Sequence, residues 1–248
     1  MVGKLIIRGL IAGICAGLLA FGFARVIGEP AVAIAIQFES AQDEAKAAAA
    51  RAAGQPVEEE PEIFSRAVQS GVGLLTGVVG VGAGMGALFA VLFAIANGRI
   101  GTWGPGATCA LLALLGWTSL YMVPALKYPA NPPSVGQPDT IQIRTALYFL
   151  AMALSIASTI GAWALGRRLA RSYGLWNGSV VALLAYLVVL TVVFQLLPPI
   201  NEVPRNFPAV TLWNFRVASA GLQVVLWGGV ALIFGTIAEI SRPGHRVA

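Results

Sequence analysis

Apolar residues run almost without interruption over six stretches of this chain, residues 5–27, 68–96, 107–126, 144–166, 177–197 and 215–238, with polar residues collected between them. At 1.5 Å of rise per residue, about 20 mostly apolar residues cross a hydrocarbon layer. Runs of this length are not lipid-exposed open strands, because each unpaired backbone group in hydrocarbon costs several kcal/mol. The strict alternation of an outer-membrane barrel is also absent. The pattern therefore predicts an all-α fold, a polytopic membrane bundle of six transmembrane helices. Pro, Gly and charge punctuate the intervals, as they do at helix ends. The longest interval, residues 28–67, predicts an acidic extracytoplasmic loop with a short helix. Pro30 suits a helix start, and AQDEAKAAAARAAG is a strong helix former closed by Gly54 and Pro56.

Composition agrees with the pattern. Of 248 residues 57% are apolar and 11% charged, against roughly 45–50% and about 25% in soluble domains; mean hydropathy is +0.78. A water-soluble enzyme, a disulfide-rich secreted module and a disordered linker are excluded. The net charge of +5 reflects topology, since no basic stripe with interleaved aromatics suggests nucleic acid. Lys4, Arg8, Arg99, Arg167, Arg168, Arg171, Arg242 and Arg246 fall on one side of a six-span arrangement. Residues 25, 46, 51, 66, 127, 144, 205 and 216 place eight more on the other. The compact RRLAR cluster, unopposed by acids, decides for cytoplasmic N- and C-termini in an inner (plasma) membrane. Lys4 and Arg8 before an apolar run look like a signal peptide, but Ile14 before Cys15 does not suit lipoprotein processing, so an uncleaved first span is expected. Cys15 and Cys109 read as small hydrophobes.

Several side chains stand out within this frame. Gly9, Gly13 and Gly17 in the first span, and Gly73 with Gly77, Gly80 with Gly84 and Gly82 with Gly86 in the second, recur every four residues. Such spacing lets helix backbones approach closely in lipid; a hinge in the second span is the rival reading. Arg66, Arg144 and Arg216 open the three returning helices, 78 and 72 residues apart. This suggests three related hairpins (1–96, 107–166 and 177–238) within a single integral domain, 1–248, with convergence as the alternative. The arginines either snorkel into the interface or form a ring pairing Glu29, Asp139, Glu202 or Glu39 around an outer vestibule. Pro124 and the Pro198-Pro199 pair are expected to end helices and to free carbonyls near residues 120–121 and 194–195. Beside Ser119, Tyr121, Met122, Gln195 and Asn214, those oxygens would line a cation path. Glu58, Glu59, Glu60 and Glu62, with Glu29 and Glu39, read either as an outer collector of cations or as a solvated loop.

Catalytic motifs are missing: no Walker A sequence, GxSxG or HExxH occurs, and the sole histidine is His245. Neither an enzyme nor a resident cofactor is expected.

The segment YMVPALKYPANPPSVGQPDTIQIRTALYF (121–149) resembles the signature region of the CbtA family of cobalt transporter subunits. RRLARSYGLWNG (167–178) and QLLPPINEVPRNFPAVTLWNFRVASAGLQ (195–223) extend the likeness. The resemblance implies an integral membrane subunit acting with a small histidine-bearing partner, CbtB. Cobalt(II) favours imidazole and carboxylate ligands, which this chain scarcely offers within its spans. Either a partner supplies them, or a nearly hydrated ion takes an oxygen-lined route near residues 119–124 and 195–199. The expected function is a permease subunit for a divalent metal, cobalt by resemblance, without its own ATPase, in the bilayer with a CbtB-like partner or as a homo-oligomer. The rival is a non-transporting scaffold packing through its glycine faces.

Overall fold

The computed structural model describes residues 2–56 and 64–241; Glu58, Glu59, Glu60, Glu62 and His245 lie outside them. Among the described residues, five helices are long and apolar enough to cross a membrane: α1 (Val2–Ala52), α2 (Arg66–Ala96), α3 (Pro105–Lys127), α4 (Pro138–Leu196) and α5 (Ala209–Ile240). No strand occurs among the described residues. Large apolar side chains such as Leu183, Leu187, Val188 and Val192 stand on the outside, a distribution suited to lipid as solvent and not to water. The chain is a multi-pass membrane protein.

Two expected boundaries differ. The stretches 144–166 and 177–197, expected as separate helices, are the two arms of Ile141–Leu196, parted at Gly174, at φ 78° and ψ 161°, with no loop between them. That conformation is essentially restricted to glycine, and the chain folds back there without a loop. A methyl on Gly166 would stand 3.3 Å from the Ala182 methyl, and one on Gly178 would stand 2.9 Å from the Ala170 Cα. The two arms of α4 therefore run side by side.

The second difference is the long outer interval. Instead of a loop with a short helix, Glu29–Ala52 continues the first span. The joint is a π turn, Ala24–Gly28, closed by the Glu29 N–H on the Ala24 carbonyl. Pro30 has no N–H, and its ring crowds the carbonyl four residues back. A locally wider turn accommodates the ring, and the helix goes on. Thr118–Met122 repeats the device ahead of Pro124, with the Val123 N–H on the Thr118 carbonyl. Pro124 thus does not end its helix, contrary to expectation; the helix runs to Lys127. A third π turn, Gln69–Gly73, lies near the start of α2.

The chain divides into two compact units, one of Met1–Leu114, Asn131–Val135 and Pro204–Ala248, the other of Leu115–Ala130 and Gly136–Val203. In the first unit α2 and α5 pack along α1. Methyls added to Gly9, Gly13, Gly82 or Gly86 would overlap backbone across the α1–α2 seam, and one on Gly17 would come within 2.8 Å of the Val79 Cα. Around Gly77, Gly80 and Gly84 there is no atom within 4 Å of such a methyl, and Gly73 meets only its own helix, at Val68. Those four glycines take no part in the α1–α2 seam: they lie off the Gly82–Gly86 face, since two residues along a helix is about 200° of turn. Phe234 of α5 closes the core edge-on against Phe89 and Phe93, with ring centres 5.8 and 5.2 Å apart. The Glu239 carboxylate accepts from the Gly106 N–H at 2.9 Å, capping the start of α3. In the second unit Tyr128, Ala151 and Leu197 form a core flanked by Leu147, Tyr148, Leu154 and Val193.

Candidate functional site

In the second unit, the end of α3 meets the end of α4. Leu197 still donates to Val193, but Pro198 has no N–H to offer the carbonyl of Phe194. Lys127 fills the gap, its Nζ donating to the Phe194 oxygen at 2.7 Å. One residue on, the Tyr128 hydroxyl donates to the Pro198 carbonyl at 2.8 Å. The bonds that join the two helix ends are thus made at residues 127–128 and 194–198, beyond the 119–124 segment expected to line a path. In the sequence Lys127 is only one of the basic residues, and no spacing signal marks it. The signal available was Pro198 itself, which predicts an orphan carbonyl at residue 194 without naming its donor.

The other expected path residues are placed less favourably. The hydroxyl of Ser119 is buried and donates to the Leu115 carbonyl of its own helix at 2.7 Å. Tyr121 and Met122 are half-buried, Pro124 is buried, and Gln195, Pro198, Pro199 and Asn214 are exposed. At the π turn the Thr118 carbonyl is engaged by the Val123 N–H, and the Lys127 ammonium has taken the Phe194 carbonyl. Among the described residues no group of three or more His, Cys, Asp and Glu could hold a metal ion.

The arginines are held one by one. In the first unit Arg66 donates to the Glu29 carboxylate, tying the start of α2 to the π turn of α1. Arg216 donates to the Asn131 side-chain oxygen at 2.9 Å. In the second unit Arg144 donates to the Gln137 carbonyl at 3.0 Å, and its Nε stands 3.5 Å from a Glu202 oxygen. Gly136, at φ 117°, lies under the guanidinium where any side chain would collide with it. The same Glu202 oxygen accepts from the Gln137 N–H at 2.8 Å and the Thr140 hydroxyl at 2.9 Å. An anion there suits the exposed donors at the start of α4. The Gln137 N–H foremost, then the Thr140 hydroxyl and the Arg144 charge, hold the Glu202 carboxyl below the usual carboxylate range. Asp139 and Glu39 are exposed.

The residues of these clusters, Lys127-Tyr128, Gly136-Gln137, Arg144 and Pro198 to Glu202, fall within the recognisable strings of the sequence. The model of a family described as "Probable cobalt transporter subunit (CbtA)" matches residues 2–239. The chain belongs to the CbtA family. No curated protein and no solved structure matches it. As a CbtA-family subunit it works within a complex. Its signature strings, seen in three dimensions, are proline-freed carbonyls and helix ends satisfied by the chain's own cations and hydroxyls. Chemically they can clamp two loops and present fixed positive charge. They offer no set of imidazole, thiolate or carboxylate ligands.

Proposed function

We propose that this chain is the integral subunit of a cobalt transport system of the bacterial inner membrane. It has no ATPase of its own and acts with a small CbtB-like partner that supplies the imidazole ligands. The observation that carries this reading is the family match over nearly the whole chain, combined with a described surface that lacks a ligand cluster. A cobalt transporter subunit whose one histidine is His245 would select its ion through another chain, or pass it nearly hydrated. Counting the two arms of α4 as separate crossings supports six spans with both termini on one side, and the RRLAR cluster favours the cytoplasmic one.

Cobalt accumulation in cells expressing this chain alone, with its partner, or with neither tests the proposal. Accumulation that requires both chains is expected; equal accumulation in all three defeats it. A second reading, a non-transporting scaffold, is favoured by the open Gly77–Gly80–Gly84 face of α2, the kind of surface on which another membrane helix packs. It predicts unchanged cobalt accumulation together with loss of a co-purifying partner when Gly80 is made bulky.

A further inference from the structure

A cleft of about 520 Å³ opens within the second unit between the arms of α4 and the middle of α3. Small residues make the space: Ala162, Gly166 and Ala170 on one arm face Ser179 and Ala182 on the other. Its walls are apolar, with Leu115, Trp163 and Leu183. At one end stand Arg167 and Arg171, four residues apart and hence on one helix face. At the other end are the hydroxyls of Thr118, Thr159 and Tyr186. From the arginine tier to Thr159 is eight residues, roughly 12 Å of helix.

Neither Arg167 nor Arg171 has a hydrogen-bond or ion-pair partner among the described residues. Just beyond them, at the turn, Tyr173 and Trp176 are 66% and 80% exposed. Aromatics so displayed beside arginines mark a membrane–water interface. Two unpaired guanidinia at headgroup depth, above an apolar slot leading into the bilayer, match one class of ligand in both charge and polarity. We infer that the cleft binds an anionic phospholipid, its phosphate on Arg167 and Arg171 and one acyl chain along the slot. Basic pockets between membrane helices take anionic headgroups for this reason, and the same positive charge makes the cleft unsuited to a divalent cation. The site is independent of the cobalt reading.

Native mass spectrometry of the purified chain, loaded with phosphatidylglycerol or with phosphatidylcholine of the same acyl length, tests the inference. One phosphatidylglycerol per chain should be retained saturably, and phosphatidylcholine should not. R167Q/R171Q should weaken phosphatidylglycerol retention roughly thirtyfold, at about fivefold per guanidinium. R99Q/R168Q, which removes the same charge away from the cleft, should not. Equal retention of the two lipids, or equal loss in the two double variants, would overturn the proposal. Should R167Q/R171Q fail to fold, the wild-type chain decides: retention of phosphatidylglycerol must fall as salt rises, and salt-independent retention overturns the site.

Discussion

Pro198 withholds the N–H that would close the last turn of α4, and the Lys127 ammonium supplies a donor in its place, 2.7 Å from the Phe194 oxygen. Removing one partner of a buried bond leaves the other desolvated and unsatisfied, at a cost of about 1–3 kcal/mol. Lys127→Met, which keeps most of the side-chain volume, should destabilise the protein by that amount in denaturant unfolding from micelles. Tyr128→Phe should cost less, since a neutral bond contributes about 1 kcal/mol net. Glu202 makes a pH-dependent counterpart. Because its folded-state pKa is depressed, its contribution is present above the unfolded carboxylate value and is lost as pH falls through the folded one. Glu202→Gln should therefore melt below wild type at pH 7, and the gap should close on acidification below about pH 4. A gap that persists in acid would show that the Gln137 and Thr140 bonds do not depend on the charge. Arg144 and Glu202 were both legible as charged residues among prolines. Lys127 was not, because an orphan carbonyl can be read from proline while the side chain that reaches it depends on the approach of a second helix.

At the scale of elements, the glycine pattern separated into faces only in three dimensions. Period-four spacing occurs three times in α2, and a one-dimensional repeat cannot tell which register turns toward α1. Gly82 and Gly86 meet Gly9 and Gly13, while Gly77, Gly80 and Gly84 meet nothing within 4 Å. Gly86→Ala should accordingly cost about 1–3 kcal/mol, the usual penalty of overpacking. Gly84→Ala should be neutral or slightly stabilising, because alanine has the better helix propensity. Thermal unfolding of both variants in the same detergent checks this, and equal losses would contradict the seam described. Gly174 is a different case, set by backbone and not by space: no atom lies within 4 Å of its missing methyl. Gly174→Ala should still destabilise the α4 hairpin, by about 1–3 kcal/mol of strain, read as earlier thermal unfolding than in Gly161→Ala, an exposed helical control. The proline-rich positions misled in a consistent way: Pro30 and Pro124 read as helix boundaries, yet a π turn lets each helix pass.

At the scale of the whole molecule, membrane class and apolar spans were legible from hydropathy alone, because lipid demands long runs whatever the tertiary arrangement. The metal route was not, since it depends on which polar groups remain unspent after folding, and most of the expected ones are engaged or exposed. Arginine substitutions connect the scales. Arg99 bonds only carbonyls of its own helix end, Ala94 and Ile95, whereas Arg144 joins the Gln137 turn to Glu202. In cells carrying the complete transport system, Arg144→Ala should lower cobalt accumulation several-fold more than Arg99→Ala at matched protein levels. Equal effects would reduce Arg144 to an interfacial anchor.

The uninterrupted course of α1 has a mechanical corollary. Its 51 residues extend roughly 75 Å if helical throughout, far more than the ~30 Å of hydrocarbon, so the polar portion beyond Phe38, whose ring meets Phe207 edge-on at 5.0 Å, outruns the hydrocarbon as part of the same shaft. Arg66 grips that shaft at Glu29, just past the Ala24–Gly28 π turn. With Phe207 holding the same shaft at Phe38, the helix is braced at two points on either side of its apolar-to-polar transition.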